Sequence, residues 1–111
     1  MHLCNRTVSK TSEGATMESY GTPVEFMGES WPAGGKVQAE MYGNRLGYIR
    51  NLKIRGEYNP AVASDGAMEY HFADFTVREL DGVCIFSDTE PDFRIIAIKP
   101  YKPLYLELER I

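Results

Sequence analysis

With 111 residues, the chain has the length of one domain, and its 43% hydrophobic and 25% charged residues are ordinary for a globular protein. No apolar run approaches the roughly 20 residues that a membrane-spanning helix needs, which excludes such a helix. A formal net charge of -4 argues against general binding of nucleic acid, because that binding depends on clustered lysines and arginines.

The N-terminal segment differs in composition from the rest of the chain. Residues 1–20 are rich in Thr, Ser, Glu and Gly and show no hydrophobic periodicity, so we predict a flexible arm before a single β domain at residues 21–111. No apolar signal-peptide stretch follows the first residues. Cys4 and Cys84 lie too far apart in the sequence to suggest a disulfide framework. We therefore expect a cytoplasmic location.

The next segments favour strands. Apolar and polar residues alternate over Lys36–Tyr42, and Leu46–Tyr58 continues the pattern with a slip near Arg50 that suggests a β-bulge. Gly43-Asn44 between them is typical of a tight hairpin turn. The sequence predicts two antiparallel neighbouring strands here.

Turn residues then punctuate the chain. Asn59–Gly66 contains Pro and Asp-Gly and predicts a loop, whereas Met68–Leu80 reads as a long strand with a bulge or bend near Ala73. Asp81-Gly82 favours a type I′ hairpin that folds residues 76–87 back on themselves.

The C-terminal third predicts two more strands. Phe93–Lys99 is apolar on both faces and is expected to be a central strand. Pro100 and Pro103 bend the chain before an alternating strand over residues 104–109, which we expect to lie at an edge. We therefore predict an all-β fold, an antiparallel barrel or sandwich of about six to seven strands with at most one short helical turn.

Catalytic candidates are few because the chain has only two histidines. Glu69 and His71 fall on the same face of the predicted strand, and Asp74 follows closely, so these three residues are a possible polar site. Isolated Glu-His pairs of this kind are common on sheet surfaces. We expect no catalytic activity.

Metal-ligating patterns are equally sparse. His2 and Cys4 form a short His-x-Cys without a matching second pair, and the acidic turn Asp88, Glu90, Asp92 lacks the glycine and distal glutamate of a calcium loop. We expect neither a metal nor a cofactor.

One basic cluster contains Arg45, Arg50, Lys53 and Arg55, close in sequence to Tyr42 and Tyr48. Such a pattern is a possible anionic-ligand patch and is used by barrels that bind single-stranded nucleic acid. Charged residues also protect an edge strand from unwanted pairing, and that interpretation suits an acidic chain better.

Seven tyrosines and one tryptophan exceed what a core of this size needs. Alternation exposes four of them as a possible ligand or partner surface: Tyr42, Tyr48, Tyr101 and Tyr105. The leading hypothesis is a non-enzymatic binding or regulatory domain that engages a protein partner, or a second copy of itself as a homodimer, through a sheet face or edge. The alternative is a barrel for a small apolar ligand, and a further alternative is single-stranded nucleic-acid binding. The barrel interior would be lined by Met41, Tyr70, Phe72, Phe75 and Phe86.

Overall fold

The computed structural model describes residues 1–111, and most of its regular structure is β-strand. The strands are β1 (His2–Cys4), β2 (Arg6–Lys10), β3 (Thr16–Tyr20), β4 (Val24–Glu25), β5 (Gly28–Pro32), β6 (Ile49–Ile54), β7 (Asn59–Val62), β8 (Met68–His71), β9 (Thr76–Val77), β10 (Gly82–Cys84), β11 (Phe93–Lys99) and β12 (Leu104–Arg110). Between β5 and β6 lie helix α1 (Gly35–Tyr42) and a 3-10 helix (Gly43–Tyr48).

Seven strands form a curled antiparallel sheet in the order β4-β1-β10-β11-β12-β6-β5. Its two edge strands are consecutive in the chain and are separated only by Phe26 and Met27. The Phe26 N–H donates to the carbonyl of Met1, and the Arg55 N–H donates to the carbonyl of Met27, each at 3.0 Å. Both ladders therefore continue into the connection, and the sheet curls into a half-barrel. The predicted all-β class is confirmed.

The concave face of this sheet carries the hydrophobic core. Strand alternation turns one face of β6, β11 and β12 inward, and complete burial of an aliphatic side chain there contributes roughly 1.5–3 kcal/mol. The buried aliphatic residues of these three strands that face the core are Leu52, Ile54, Ile95, Leu104, Leu106 and Leu108. A separate three-stranded sheet, β7-β8-β9, adds Tyr70 and Val77 to the same core.

The first strand differs from the expected N-terminal arm. β1 pairs with β4 on one side and β10 on the other, and Leu3 is only 1% exposed within the core. Met1, Leu3 and Cys4 form too short a run to give a periodic signal, so the polar composition of residues 1–20 as a whole places this strand outside the predicted domain. β2 and β3 pair with each other as a hairpin, and the flexibility expected of that region stays a prediction.

Asp81 ties the N-terminal residues to the rest of the fold. Its carboxylate is buried and accepts hydrogen bonds from the backbone N–H of Arg6 at 2.8 Å, the backbone N–H of Arg78 at 2.9 Å and the side-chain amide of Asn5 at 2.9 Å. Burial raises the pKa of this carboxyl, and the three hydrogen bonds oppose that rise.

The helical segment corrects the predicted strand over Lys36–Tyr42 and the predicted hairpin at Gly43-Asn44. Helix α1 contacts the sheet through polar residues one turn apart, Gln38 and Tyr42, while its apolar Val37 and Met41 are exposed. Because the positions of α1 that face the sheet hold polar side chains, the spacing of its hydrophobic residues does not predict a helix. The expectation of at most one short helical turn is also wrong. No helix here combines the length and apolarity that crossing a bilayer requires.

Polar contacts hold α1 against β6 and β12. The Gln38 amide donates to Asn51 Oδ1 at 2.6 Å and to Glu107 Oε2 at 2.8 Å. Lys99 Nζ lies 3.7 Å from the other oxygen of Glu107, which is itself buried. These contacts satisfy a buried carboxylate that would otherwise be costly to desolvate.

The bulge expected near Arg50 lies elsewhere. β6 pairs with both neighbouring strands without a register shift through Arg50 and Asn51. The shift occurs in β11, between Ile95 and Ala97. Within the predicted Leu46–Tyr58 strand, only the Ile49–Ile54 part is extended, because the preceding residues belong to the 3-10 helix.

The predicted strand Met68–Leu80 is two short strands that pair with each other. The Phe72 N–H donates to the Phe75 carbonyl at 2.8 Å, so the chain reverses around Ala73, where the bend was expected. β9 thus belongs to the small sheet.

The hairpin expected at Asp81-Gly82 does not form. β10 pairs with β1 and β11 rather than with β9. A turn closed by the Asp81 N–H and the Arg78 carbonyl, with Leu80 at φ 71°, instead carries the chain from the small sheet to the curled one. A local turn signal does not determine which strands then pair.

The two C-terminal strands form as predicted, although their positions need one correction. β11 lies between β10 and β12 inside the sheet, as expected of a central strand. β12 lies between β11 and β6, so it is interior rather than an edge strand. Its outward side chains Glu107 and Glu109 are covered by partners from neighbouring elements.

Replacement of Asp81 by alanine should lower the free energy of unfolding by about 3 kcal/mol, because three part-buried N–H donors lose their acceptor. Urea denaturation monitored by tryptophan fluorescence measures this change. The exposed Asp88→Ala is the matched control and should change stability by less than about 0.5 kcal/mol. Equal effects of the two substitutions would contradict the anchoring role of Asp81.

Glu109 should contribute a pH-dependent stabilisation. Arg45 and Arg94 donate hydrogen bonds to its two oxygens and lower its pKa. Its contribution to the free energy of unfolding is therefore present above the unfolded-state pKa of about 4.3 and disappears as the pH falls through the lowered value. Glu109→Gln should cost about 1 kcal/mol at neutral pH. Urea titrations between neutral pH and about pH 3 should show this difference shrinking. A constant difference, or an equal loss in Glu90→Gln, would contradict the assignment.

Candidate functional site

Four side chains that carry positive charge or an exposed aromatic ring meet at one end of the half-barrel. Tyr48, Arg50, Phe86 and Arg110 line a cavity of about 480 Å³, which we call the mouth pocket. Phe93 forms part of its floor and is buried in the core. The volume falls within the range of small-molecule sites, and barrel mouths are among their common positions.

Strand register places both arginines on the concave face. Arg50 lies two residues before Leu52 in β6 and pairs with Leu108, whereas Arg110 follows Leu108 by two residues and pairs with Phe93. Their neighbours on this face are core residues, but the strands end here and the arginines reach solvent. The slip in alternation near Arg50 therefore marks the end of the core and not a bulge.

Neither arginine of the mouth pocket has a carboxylate within salt-bridge distance. Arg50 Nε donates to Ser30 Oγ at 3.0 Å, which leaves its terminal N–H groups without a protein acceptor. The chain's other arginines each pair with a carboxylate: Arg6, Arg45, Arg55, Arg78 and Arg94. Two unpaired guanidinium groups beside one cavity form a local positive site in an acidic protein.

The aromatic walls of the pocket are exposed. Phe86 is 75% exposed and Tyr48 is 56% exposed. The guanidinium carbon of Arg50 lies 5.3 Å from the centroid of the Phe86 ring, within cation–π distance. The Phe86 and Phe93 ring centroids are 6.2 Å apart, so the exposed ring also contacts the core.

Asp92 fixes the loop that carries Phe86. One carboxylate oxygen accepts from the Ile85 N–H at 2.8 Å, and the other accepts from the N–H groups of Phe86 at 2.8 Å and Ser87 at 3.3 Å. Although Asp92 lines the pocket, its oxygens are occupied by the backbone. The loop is thus ordered before any ligand binds.

The predicted tyrosine surface is divided among three places. Tyr101 and Tyr105 contact each other with centroids 6.2 Å apart, and Tyr105 contacts Trp31 edge-on, also at 6.2 Å. We call Trp31, Tyr101 and Tyr105 the aromatic patch. Tyr48 belongs to the mouth pocket. Tyr42 is half-buried beside Glu107, and burial, aided by that carboxylate, raises its pKa to about 12.

The predicted basic patch does not form one surface. Arg50 faces the concave side, whereas Lys53 is an odd number of residues away in the same strand and faces outward. Lys53 and Arg55 both pair with Glu29, at 3.4 Å in the case of Lys53. Only Arg50 retains an unpaired charge.

The predicted polar site forms in part. His71 Nε2 lies 3.4 Å from Glu69 Oε1, and His71 Nδ1 lies 3.1 Å from Thr76 Oγ1. Arg78 also approaches Glu69, at 3.7 Å. Asp74 makes no hydrogen bond or ion pair with Glu69 or His71, and it lines a cavity that neither of them lines. Glu69 and His71 are two positions apart on the same strand, β8, and contact each other along one face of the small sheet.

The two cysteines are neighbours in space. Their Sγ atoms are 3.9 Å apart on β1 and β10, and both thiols are buried. Burial raises both pKa values, that of Cys84 to about 12. His2 lies opposite Cys84 in the ladder, but no three His, Cys, Asp or Glu residues are arranged to hold a metal ion. Sequence separation concealed this proximity.

The interior lining expected for a ligand barrel is not assembled. Met41 is exposed on α1 and Phe86 is exposed at the mouth pocket, whereas Tyr70 belongs to the packed core. Phe72 and Phe75 stack on each other at 4.8 Å between the small sheet and the core. The concave face is filled by side chains, and the concavity that stays open is at its mouth.

Sequence reasoning missed Arg110 and the partnership of Trp31 with the tyrosines. A usable signal existed for Arg110, because it continues the alternation of Leu104, Leu106 and Leu108 by one further step. Trp31 could not be assigned, because its contact with Tyr105 depends on the pairing of β5, β6 and β12.

In comparisons with known proteins, no family model, no curated protein and no solved structure matched this chain. The functional inference therefore rests on the geometry of these surfaces.

Replacing Asp92 with alanine should loosen the Phe86 loop. The amides of Ile85, Phe86 and Ser87 lose their shared acceptor, so their hydrogen exchange should accelerate about tenfold or more. Amide exchange followed by NMR measures this effect. Asp88→Ala in the same loop should leave these rates unchanged, and unchanged rates in Asp92→Ala would refute the preordering of the loop.

Proposed function

We propose that this chain is a non-enzymatic binding domain that engages a protein partner through the outer face of its curled sheet, centred on the aromatic patch. The supporting observation is the continuous contact from Trp31 through Tyr105 to Tyr101 on one exposed face. Tyr101 is 61% exposed, and Trp31 also reaches solvent. Tryptophan and tyrosine are enriched at interface hot spots because they bury large areas at low entropic cost.

One unpaired ammonium group beside the patch favours a partner with a carboxylate. In the sheet, Tyr105 pairs with Lys53 of β6 and Lys99 of β11, but both of these lysines already lie within 4 Å of a carboxylate. Lys102 beside Tyr101 is exposed and makes no salt bridge. Opposite charges at the rim of an interface accelerate association and select partners more than they add affinity.

A flat surface of this kind supports binding rather than chemistry. The residues of the patch are aromatic and basic, and none forms a nucleophile-base pair of the kind that acyl or phosphoryl transfer needs. We infer that the partner is a protein segment with an apolar or aromatic side chain for the patch and a carboxylate for Lys102. A cytoplasmic setting is part of this proposal.

Paired variants test the proposal. Tyr101→Ser and the double variant Tyr101→Ser, Tyr105→Ser remove the patch, whereas Tyr48→Ser removes a similarly exposed tyrosine at the mouth pocket. Affinity capture from the native host, quantified by mass spectrometry, should recover a protein with the wild-type chain and Tyr48→Ser. Both patch variants should recover at least about tenfold less of it, as expected for loss of a hot spot worth about 1.4 kcal/mol or more.

Three outcomes would overturn the proposal. The first is a wild-type chain that captures nothing and is monomeric by light scattering, and the second is capture that Tyr101→Ser leaves unchanged. The third is equal loss with Tyr48→Ser, which would move the interface to the mouth pocket. A homodimer that dissociates in the patch variants would identify the partner as a second copy.

A further inference from the structure

We propose that the mouth pocket is a separate binding site for a small ligand in which a carboxylate or phosphate is attached to a flat aromatic ring. The mouth pocket is separate from the aromatic patch, which lies on the outer face of the sheet. Unpaired arginines, exposed rings and a fixed loop meet there around one cavity of about 480 Å³.

The mouth pocket carries positive charge that the protein does not neutralise. Arg50 and Arg110 lack carboxylate partners although the protein is acidic overall and its other arginines are all paired. Asp92, the one carboxylate that lines this pocket, accepts hydrogen bonds from backbone N–H groups of the Phe86 loop. The pocket therefore presents guanidinium donors whose acceptors must come from outside the chain. Guanidinium groups match the planar oxygens of carboxylates and phosphates.

The mouth pocket also offers apolar, aromatic surface. Phe86 and Tyr48 expose their rings at the opening, and Phe93 supplies an apolar floor. A flat ring placed between such walls gains stacking and burial that a bare anion lacks. The chemistry of the site thus calls for an anion and a ring on the same molecule.

The extent of the positive charge limits the size of the ligand. The positive site is limited to the concave ends of β6 and β12, because the neighbouring Lys53 and Arg55 are paired with Glu29. A nucleic-acid strand would need a continuous basic track, and the net charge of -4 repels an extended polyanion. A single anionic group fits the observed charge distribution.

Preordering supports a binding role for the exposed phenylalanine. A large apolar side chain that is 75% exposed costs hydration free energy, yet Asp92 and the Arg50 contact hold Phe86 in place over the pocket. A rigid site avoids the entropy cost of ordering a loop on binding.

The test uses matched naphthalene probes and NMR titration of the full chain. 2-Naphthoate and 2-naphthyl phosphate carry ring and anion, 2-naphthamide carries the ring alone, and acetate and inorganic phosphate carry the charge alone. We expect a ring-bearing anion to bind with Kd of about 1 mM or tighter, at least about tenfold tighter than naphthamide or the bare anions. Shifts should concentrate at Tyr48, Phe86 and the arginine side chains.

Variants locate the site. Arg110→Gln, at an exposed position, and Arg50→Gln should each weaken binding of the preferred anion about fivefold to tenfold while leaving naphthamide unchanged. Phe86→Ser should weaken both probes. Arg55→Gln, which removes an arginine already paired with Glu29, is the control and should change nothing.

The proposal fails if neither naphthyl anion binds up to about 10 mM, or if naphthamide binds as tightly as they do. It also fails if Arg110→Gln and Arg50→Gln bind like the wild-type chain, or if the shifts map to the aromatic patch. Preference between 2-naphthoate and 2-naphthyl phosphate decides whether the natural ligand is a carboxylate or a phosphate.

Discussion

Burial of the aliphatic layer on the concave face of β6, β11 and β12 is the interaction on which the rest of the structure depends. Alternate residues of β6 and β12, and of β11 up to its register shift after Ile95, point into this layer, and the short edge strands and the small sheet pack around it. The curl follows from the same constraint, because a flat sheet of this size would leave one apolar face in water. One chain segment, Val24–Pro32, supplies both edges and so limits the exposure of unpaired backbone.

Polar side chains attach the remaining elements to this layer. Asp81 holds the start of the N-terminal hairpin and Asp92 holds the Phe86 loop, each by accepting three N–H hydrogen bonds, and Glu107 holds α1 by accepting one from the Gln38 amide. In these places a carboxylate is satisfied by the protein itself. Arg50 and Arg110 are the contrasting case, since the fold places them at the mouth without a carboxylate. The aromatic patch is likewise left uncovered by the helix that covers the neighbouring part of the sheet.

The class of fold and several strands could be predicted from the sequence because period-two burial is a local signal. Phe93–Lys99 and the alternating leucines of β12 were recognised in this way. Helix α1 could not be predicted, because the residues that face the sheet are Gln38 and Tyr42, whereas its apolar Val37 and Met41 face solvent. Pairing partners are a long-range property, so Cys4 and Cys84, Trp31 and Tyr105, and the two arginines of the mouth could not be brought together from spacing alone.

In the half-barrel, the sheet curls until a single segment, Val24–Pro32, lies against both β1 and β6. Nuclear Overhauser effects between backbone protons test it directly in the uniformly labelled chain. The structure predicts cross-strand contacts between Leu3 and Val24 together with contacts between Ser30 and Leu52, because these residues are paired in the two edge ladders. Observation of both sets in a monomer would support the half-barrel, whereas absence of either set would show an open sheet and contradict the concave core and the mouth pocket built on it.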